Sequence, residues 1–394
     1  MSYAPSGRTV TAIVDDAIGG RRISAGDAHQ LLLKGDLIDL GLAAEEVRNR
    51  FNDPGAASYN IDRNVNYTNI CVYKCRFCAF YREPGDDEGY LLSFEEIGKK
   101  VEETLALNGT GILMQGGVHP DLPLTYYEDL LRYLKSEYPE IHLHAFSPPE
   151  IKFIAKLERM SFYDVIARLK DAGLQSIPGG GAEILVDSVR KDILAYGKTS
   201  SDEWLDIMRQ AHRNDLRTSA TMMYGMGEGL EARVEHLQRI RDLQDETGGF
   251  TAFISWTFQH DHTEMEDVPE TFAHEYLTTL AVSRLFLDNV EHLQTSWVTQ
   301  GKKIGQLALK FGADDMGSIM IEENVVSAAG TAFKMSQDEM EHLIRSAGYE
   351  PKQRTNLYDR LVTREDTAPL AAKYRSSLTA ANRELASSPL PVIG

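Results

Sequence analysis

The segment NICVYKCRFC, residues 69–78, holds all three cysteines of this 394-residue chain: Cys71, Cys75 and Cys78. Thiolates are the protein ligands of iron–sulfur clusters, and three of them in one short loop can bind three irons of a cubane [4Fe–4S] cluster. The chain has no fourth cysteine for the last iron. The sequence therefore predicts a cluster in which one iron is open to a ligand that is not protein.

Two other uses of these thiols are less favoured. A structural zinc ion normally takes four nitrogen or sulfur ligands, and the nearest downstream histidine, His119, is far away in sequence. Disulfides fit poorly because the number of cysteines is odd and none lies outside the loop.

Short β-rich runs alternate with helical patterns along the rest of the chain. The eight predicted strands cover residues 65–70, 111–117, 141–147, 174–181, 217–225, 250–258, 290–298 and 316–321. Helical patterns lie between them, such as the one from Phe94 and the one capped by Ser201. This alternation predicts an α/β fold with a parallel sheet, and eight units predict a (β/α)8 TIM-type barrel. A doubly wound open sheet is the alternative architecture.

The predicted barrel spans residues 61–335, with a segment on either side. Residues 1–60 have helical patterns and are expected to form an N-terminal extension packed on the barrel. Residues 336–394 are expected to hold a helix capped by Ser336, and then a poorly ordered tail over residues 383–394.

The composition excludes some classes of partner. The formal net charge is −18, which argues against nucleic acid and against an anionic membrane surface. No apolar run approaches the roughly 20 residues of a membrane span, and the N-terminus lacks the apolar stretch of a signal peptide. These features, with the cysteine usage, predict a cytoplasmic protein.

In a barrel of this type, functional residues follow the C-terminal ends of the strands. Many residues of chemical interest are predicted at those ends: Gln115, Gly116, Gly117, His119, Ser147, Glu150, Gly179, Gly180, Gly181, Glu183, Tyr224, Gln259, His260, Glu322, Glu323 and Asn324. Among them His119 is the preferred group for proton transfer, because histidine titrates near neutral pH. Tyr224 and Glu323 are the further catalytic candidates.

The C-x3-C-x2-C spacing with an aromatic residue, Phe77, before the last cysteine resembles the radical S-adenosylmethionine (SAM) superfamily. This resemblance implies two cofactors, a [4Fe–4S] cluster and SAM, with SAM chelating the open iron. It also implies oxidoreductase chemistry, in which the reduced cluster splits SAM into methionine and a 5′-deoxyadenosyl radical. An electron donor such as flavodoxin or ferredoxin is expected.

The resemblance also implies contacts to SAM at the strand ends. Gly116 and Gly117 correspond to the stretch that binds the SAM amino group, and the alternative is an ordinary tight turn. Glu183 is expected at the ribose hydroxyls, or else in the first turn of a helix that starts near Ala182. Arg190 is expected at the SAM carboxylate, or else on a helix surface. Phe77, Ser147 and Glu150 complete the predicted cofactor site.

Longer motifs resemble the radical SAM enzymes of the futalosine pathway of menaquinone biosynthesis, over about residues 25–350. SWTFQ (residues 255–259) and GSIMIEENVVSAAG (residues 317–330) resemble the cyclase branch. Its substrate is dehypoxanthine futalosine, a ribose-like sugar linked to a benzoate, and its radical abstracts the C4′ hydrogen before ring closure. The aminofutalosine synthase branch is an alternative, and a non-catalytic Fe–S electron-transfer or scaffold protein is another. His260 departs from the pattern, because the family is expected to have proline there.

Overall fold

Within residues 3–330 and 334–387, which the computed structural model describes, ten strands pair into one parallel sheet. The strands are β1 (Ala56–Asn60), β2 (Asp62–Val65), β3 (Gly111–Met114), β4 (His142–Ala145), β5 (Ser176–Ile177), β6 (Arg217–Tyr224), β7 (Phe250–Thr257), β8 (His292–Gln294), β9 (Asp315–Ser318) and β10 (Glu350–Gln353). Neighbours β2 to β9 pair in chain order, and this is the pairing that successive strand–helix units produce.

The sheet curls back on itself through the first two strands. Only Ile61 separates β1 from β2, yet β1 pairs with β9 while β2 pairs with β3. The Ile319 amide also donates to the Asn60 carbonyl at 3.1 Å, continuing the contact past the end of β9. The predicted TIM-type barrel is confirmed, with β10 as an added strand beside β1.

Helices surround the sheet. They are α1 (Val10–Ile18), α2 (Ala25–Lys34), α3 (Leu37–Phe51), α4 (Phe94–Ala106), α5 (Leu124–Glu137), α6 (Pro148–Glu158), α7 (Phe162–Ala172), α8 (Asp187–Ile193), α9 (Ser201–Arg213), α10 (Leu230–Thr247), α11 (Ala273–Phe286), α12 (Trp297–Ala308), α13 (Val325–Ala328), α14 (Gln337–Ser346), α15 (Arg364–Tyr374) and α16 (Ala380–Ser387). None of these helices is long and apolar enough to cross a membrane. The predicted N-cap of α14, Ser336, is confirmed, whereas α9 is capped by Ser200 rather than Ser201.

The first predicted strand, residues 65–70, begins three residues later than the observed strand, β2. The strand ends at Val65, and residues 66–70 already belong to the cysteine loop. Their side chains serve that loop: Thr68 Oγ1 donates to the Tyr90 carbonyl at 2.6 Å, and Asn69 Nδ2 donates to the Glu88 carbonyl at 3.0 Å. Polar residues thus anchor the loop where a continued strand was predicted.

Two further predictions about local structure are wrong. The helix expected near Ala182 begins at Asp187, so residues 182–186 form an irregular segment. Residues 383–387 continue α16, and the rest of the predicted tail, residues 388–394, lies outside the described residues. The division of the chain at residues 60 and 335 stays a prediction.

Candidate active site

The cysteine loop leaves β2 and is fastened over the C-terminal end of the barrel by backbone hydrogen bonds. The Cys71 amide donates to the Arg82 carbonyl at 2.9 Å, within the loop. The Val72 amide donates to Val118, after β3, at 2.9 Å, and the Arg76 amide donates to Ile193, the end of α8, at 3.1 Å. The loop is therefore held to both neighbouring parts of the rim.

All three cysteines are free thiols, and all three line one cavity of about 280 Å³. The other residues of this cavity, here called the cluster cavity, include Phe77, Gly116, Gly117, Ser147, Gly180, Gly181, Glu183, Lys198, Trp256, Phe258 and Gln259. Burial raises the pKa of the Cys71 and Cys78 thiols. A donor set of three thiols beside a cation fits a [4Fe–4S] cluster, whose ligands are cysteine thiolates.

No three His, Cys, Asp or Glu side chains within residues 3–330 and 334–387 converge as they would on a single metal ion. A cubane cluster does not require such convergence, since each thiolate binds a different iron.

Lys198 supplies the cation of the cluster cavity. Its Nζ lies 3.2 Å from Glu183 Oε1 and 5.0 Å from the centre of the Phe77 ring. Burial lowers the pKa of Lys198, but the Cys75 sulfur and the Glu183 carboxylate outweigh this effect, so the pKa is raised. Sequence reasoning missed Lys198 because it lies in a loop, in the stretch YGKTS, without a recognisable motif.

Gly116 and Gly117 are glycines for steric reasons that the fold makes plain. A Cβ on Gly116 would lie 2.6 Å from the Tyr67 ring, and a Cβ on Gly117 would lie 2.3 Å from the Ile70 carbonyl oxygen. The Gly117 amide donates to the Thr68 carbonyl at 2.8 Å. The pair therefore lets the cysteine loop approach the end of β3, and it also borders the cluster cavity.

Glu150, on α6, is hydrogen-bonded to the residues at the ends of β2 and β3. Its carboxylate accepts hydrogen bonds from the Ser147 amide at 2.7 Å, the Ser147 hydroxyl at 2.5 Å, the Tyr67 hydroxyl at 2.6 Å and the Gly116 amide at 3.3 Å. Burial raises the pKa of Glu150 to about 7, although these donors oppose the change. Ser147 borders the cluster cavity, whereas Glu150 lies behind it as a structural link; the predicted contact of either with SAM stays a prediction.

The Arg190 guanidinium group is hydrogen-bonded to backbone carbonyl groups. The guanidinium donates to the carbonyls of four residues: Gly181, Ala182, Ile184 and Thr199. It is 3% exposed and does not border the cluster cavity. The geometry therefore favours a role in shaping residues 181–184 over the predicted direct contact with the SAM carboxylate.

Glu183, in contrast, borders the cavity where a ribose contact was predicted. Its backbone has a φ of +39°, a conformation that is costly for a residue with a side chain. Its Oε1 faces Lys198, while its Oε2 lies 3.7 Å from Arg190 NH1 and has no hydrogen-bond partner. A carboxyl group that borders the cavity therefore has one buried oxygen without a hydrogen-bond partner.

The three catalytic candidates do not line one common cavity. His119 is outside the cluster cavity; its Nδ1 accepts from the Asp121 amide at 3.1 Å, and burial lowers its pKa. Glu323 caps α13 by accepting from the amides of residues 325, 326 and 327, and burial raises its pKa. No common reaction centre for these two residues and Tyr224 emerges, so their catalytic roles stay predictions.

Tyr224 points away from the barrel interior. Side chains alternate along a strand, and on β6 the residues Ser219, Thr221 and Met223 face the cavities. Tyr224 therefore faces the helices, where its ring lies 4.4 Å from the Arg233 guanidinium of α10. This register does not favour the predicted catalytic role.

We expect the Tyr224→Phe variant to convert substrate at a rate within about twofold of the unchanged protein, because the hydroxyl faces the helix layer rather than a ligand. The measurement is the initial rate of 5′-deoxyadenosine and product formation under anaerobic conditions. A drop of tenfold or more in product with 5′-deoxyadenosine unchanged would restore Tyr224 as a catalytic residue.

A second cavity of similar volume, here called the barrel cavity, lies inside the barrel that the curled sheet forms. It shares Gln115, Gly180, Trp256, Thr299, Val325 and Val326 with the cluster cavity. Its other walls include Asn60, Asp62, Asn64, His144, Arg354 and Tyr358. A ligand in the barrel cavity would therefore lie directly against one in the cluster cavity, which is the arrangement that a reaction between two bound molecules requires.

Two family models match successive parts of the chain. The family model described as "Radical SAM superfamily" matches residues 65–240, and the model described as "CofH/MqnC C-terminal region" matches residues 247–367. Among solved structures, the FeFe-hydrogenase maturase HydG from Carboxydothermus hydrogenoformans has a TM-score of 0.71 at 16% identity, covering 95% of this chain and 86% of its own. That similarity supports the fold.

Curated relatives are similar over most of their length. The cyclic dehypoxanthine futalosine synthase of Halalkalibacterium halodurans is 46% identical, covering 91% of this chain and 96% of the relative. The enzyme of that name from Streptomyces coelicolor is 43% identical, covering 90% of each chain. The aminodeoxyfutalosine synthase of Streptomyces coelicolor is 39% identical, covering 91% of this chain and 95% of the relative.

Proposed function

This chain belongs to the radical SAM superfamily, and we propose that it catalyses the reaction of the cyclic dehypoxanthine futalosine synthases, in the futalosine pathway to menaquinone. The observation that carries the proposal is identity of 43–46% to two enzymes of that name over nine-tenths or more of each. The aminodeoxyfutalosine synthase is less similar, at 39%.

The chain's own groups provide the site for this chemistry. When bound, a [4Fe–4S] cluster and SAM supply the 5′-deoxyadenosyl radical that abstracts the C4′ hydrogen of the substrate's sugar. Cys71, Cys75 and Cys78 hold the cluster, and Lys198 balances part of the thiolate charge. The walls formed by Phe77, Trp256 and Phe258 exclude water from the reactive centre.

The contiguous cavities support a reaction between two bound molecules. SAM is assigned to the cluster cavity, where Glu183 Oε2 can accept a hydrogen bond from a ribose hydroxyl. The futalosine derivative is assigned to the barrel cavity, so that the two ligands meet at the shared residues Gln115, Gly180 and Trp256. A flavodoxin or ferredoxin as electron donor and a location in the cytoplasm belong to the same proposal.

The test is anaerobic turnover of the reconstituted protein with SAM, a chemical reductant and dehypoxanthine futalosine, followed by mass spectrometry. We expect 5′-deoxyadenosine, methionine and the cyclic product in comparable amounts. Turnover of the aminodeoxyfutalosine synthase substrate instead would move the chain to that branch. Release of no 5′-deoxyadenosine with either substrate would favour a non-catalytic Fe–S protein.

A further inference from the structure

The first two strands of the barrel present three polar side chains to the barrel cavity. Asn60, Asp62 and Asn64 occupy alternate positions of β1 and β2, so they share the inward face. They are 3%, 7% and 7% exposed, respectively. Barrel interiors of this fold are usually filled by bulky branched residues, so this polar face calls for a physical reason.

Each of the three side chains keeps one oxygen without a hydrogen-bond partner: Asn60 Oδ1, Asp62 Oδ1 and Asn64 Oδ1. A buried polar atom without a partner costs about 1–3 kcal/mol, so three on one face are expensive for the fold alone. All three atoms are acceptors, and the residues that carry them line the barrel cavity. They therefore favour a ligand that brings hydrogen-bond donors.

Asp62 is the fixed centre of this face. Asn60 Nδ2 donates to Asp62 Oδ2 at 3.0 Å, which holds one oxygen of the carboxyl group and leaves Oδ1 without a hydrogen-bond partner. Burial raises the pKa of Asp62, while Ser318, Arg354 and Asn356 lower it and Asp315 raises it further. Arg354 is itself bound to Asp315 through two hydrogen bonds, so its charge is already balanced.

We propose that Asp62 and Asn64 form a subsite that accepts hydrogen bonds from hydroxyl groups of the substrate's sugar. Carboxyl and amide oxygens side by side suit hydroxyl donors, so they also set which end of the substrate enters the barrel first. The assignment rests on the proposed function, because it takes the sugar of a futalosine derivative as the ligand.

The experiment measures equilibrium binding of dehypoxanthine futalosine to the anaerobic, cluster-loaded protein with SAM and without reductant. Analogues that lack one sugar hydroxyl at a time are measured alongside. Asp62→Asn keeps the shape and replaces one carboxyl oxygen by an amide nitrogen, and Asn64→Ala removes the second acceptor. Thr251→Val is the matched control, since Thr251 also lines the barrel cavity but its hydroxyl is already bound to the Thr218 carbonyl.

We expect the unchanged protein to bind the parent compound ten- to hundredfold more tightly than one of the deoxy analogues. Asp62→Asn should shrink this discrimination about tenfold, and Asn64→Ala should weaken binding of the parent. Thr251→Val should retain the pattern. SAM affinity and cluster absorbance should be unchanged in all three variants, which establishes that the folded site is intact.

The subsite would be overturned if Asp62→Asn weakened the binding of the parent compound and of every deoxy analogue by the same factor. It would also be overturned if this variant bound all of these compounds as the unchanged protein does. Failure of the unchanged protein to bind or convert dehypoxanthine futalosine would instead overturn the proposed function. Conversion by the unchanged protein combined with normal discrimination in both variants would overturn the subsite alone.

Discussion

The Cys75→Ser variant is expected to lose the [4Fe–4S] cluster and all SAM cleavage. The chain has only three cysteines, so no other thiol can replace the lost ligand. Two thiolates would then remain for a cluster that already lacks a fourth protein ligand. Cys75 is the most buried of the three, at 4% exposed, and the Cys78 amide donates to its carbonyl at 3.0 Å.

The measurement is iron and sulfide content with visible absorbance after anaerobic reconstitution, followed by an assay for 5′-deoxyadenosine. Tyr73→Phe is the control, because Tyr73 lies in the same loop and cavity, and its hydroxyl only donates to the Gly197 carbonyl at 3.2 Å. That variant should load its cluster normally. Full iron content and SAM cleavage in Cys75→Ser would refute the cluster assignment.

The fold was predictable where strands are long, as in β6 and β7, or rich in β-branched and aromatic residues, as in β7. The predicted bounds of β6 and β7 exceed the observed ones by a single residue, at the C-terminal end of each. β1 and β10 were missed because their sequences, AASYN and EPKQ, have weak strand propensity and form strands through pairing with each other.

Predictions of the site succeeded where the spacing of residues in the sequence identifies the chemistry. They failed where the chemistry depends on which face of a strand a side chain occupies. The cysteine loop was predicted from three cysteines within ten residues. The inward face of β2 was not predicted, because the predicted strand begins after Asp62, whereas the observed strand begins at Asp62. Tyr224 was chosen for its position at a strand end, but the side-chain alternation of β6 turns it outward.

The Arg190→Met variant is expected to lower the free energy of unfolding by about 3–5 kcal/mol, the range for removing one partner of a buried ionic network. Methionine fills much of the space but donates no hydrogen bonds, so the carbonyls of residues 181, 182, 184 and 199 would lose a shared donor. Glu183 would keep only Lys198 as its cationic partner.

Chemical denaturation of the anaerobic protein measures this effect, and Arg239→Met is the matched control. Arg239 lies on α10 and pairs with Glu235 and with Asp202, whose side chain is 86% exposed, and such a surface pair contributes ~0–1 kcal/mol. A stable Arg190→Met variant that binds SAM ten- to hundredfold more weakly would instead favour the direct carboxylate contact predicted from the sequence. A joint loss of stability and SAM affinity, larger than in the control, is what a positioning residue should show, because Arg190 holds the segment that presents Gly181 and Glu183 to the cluster cavity.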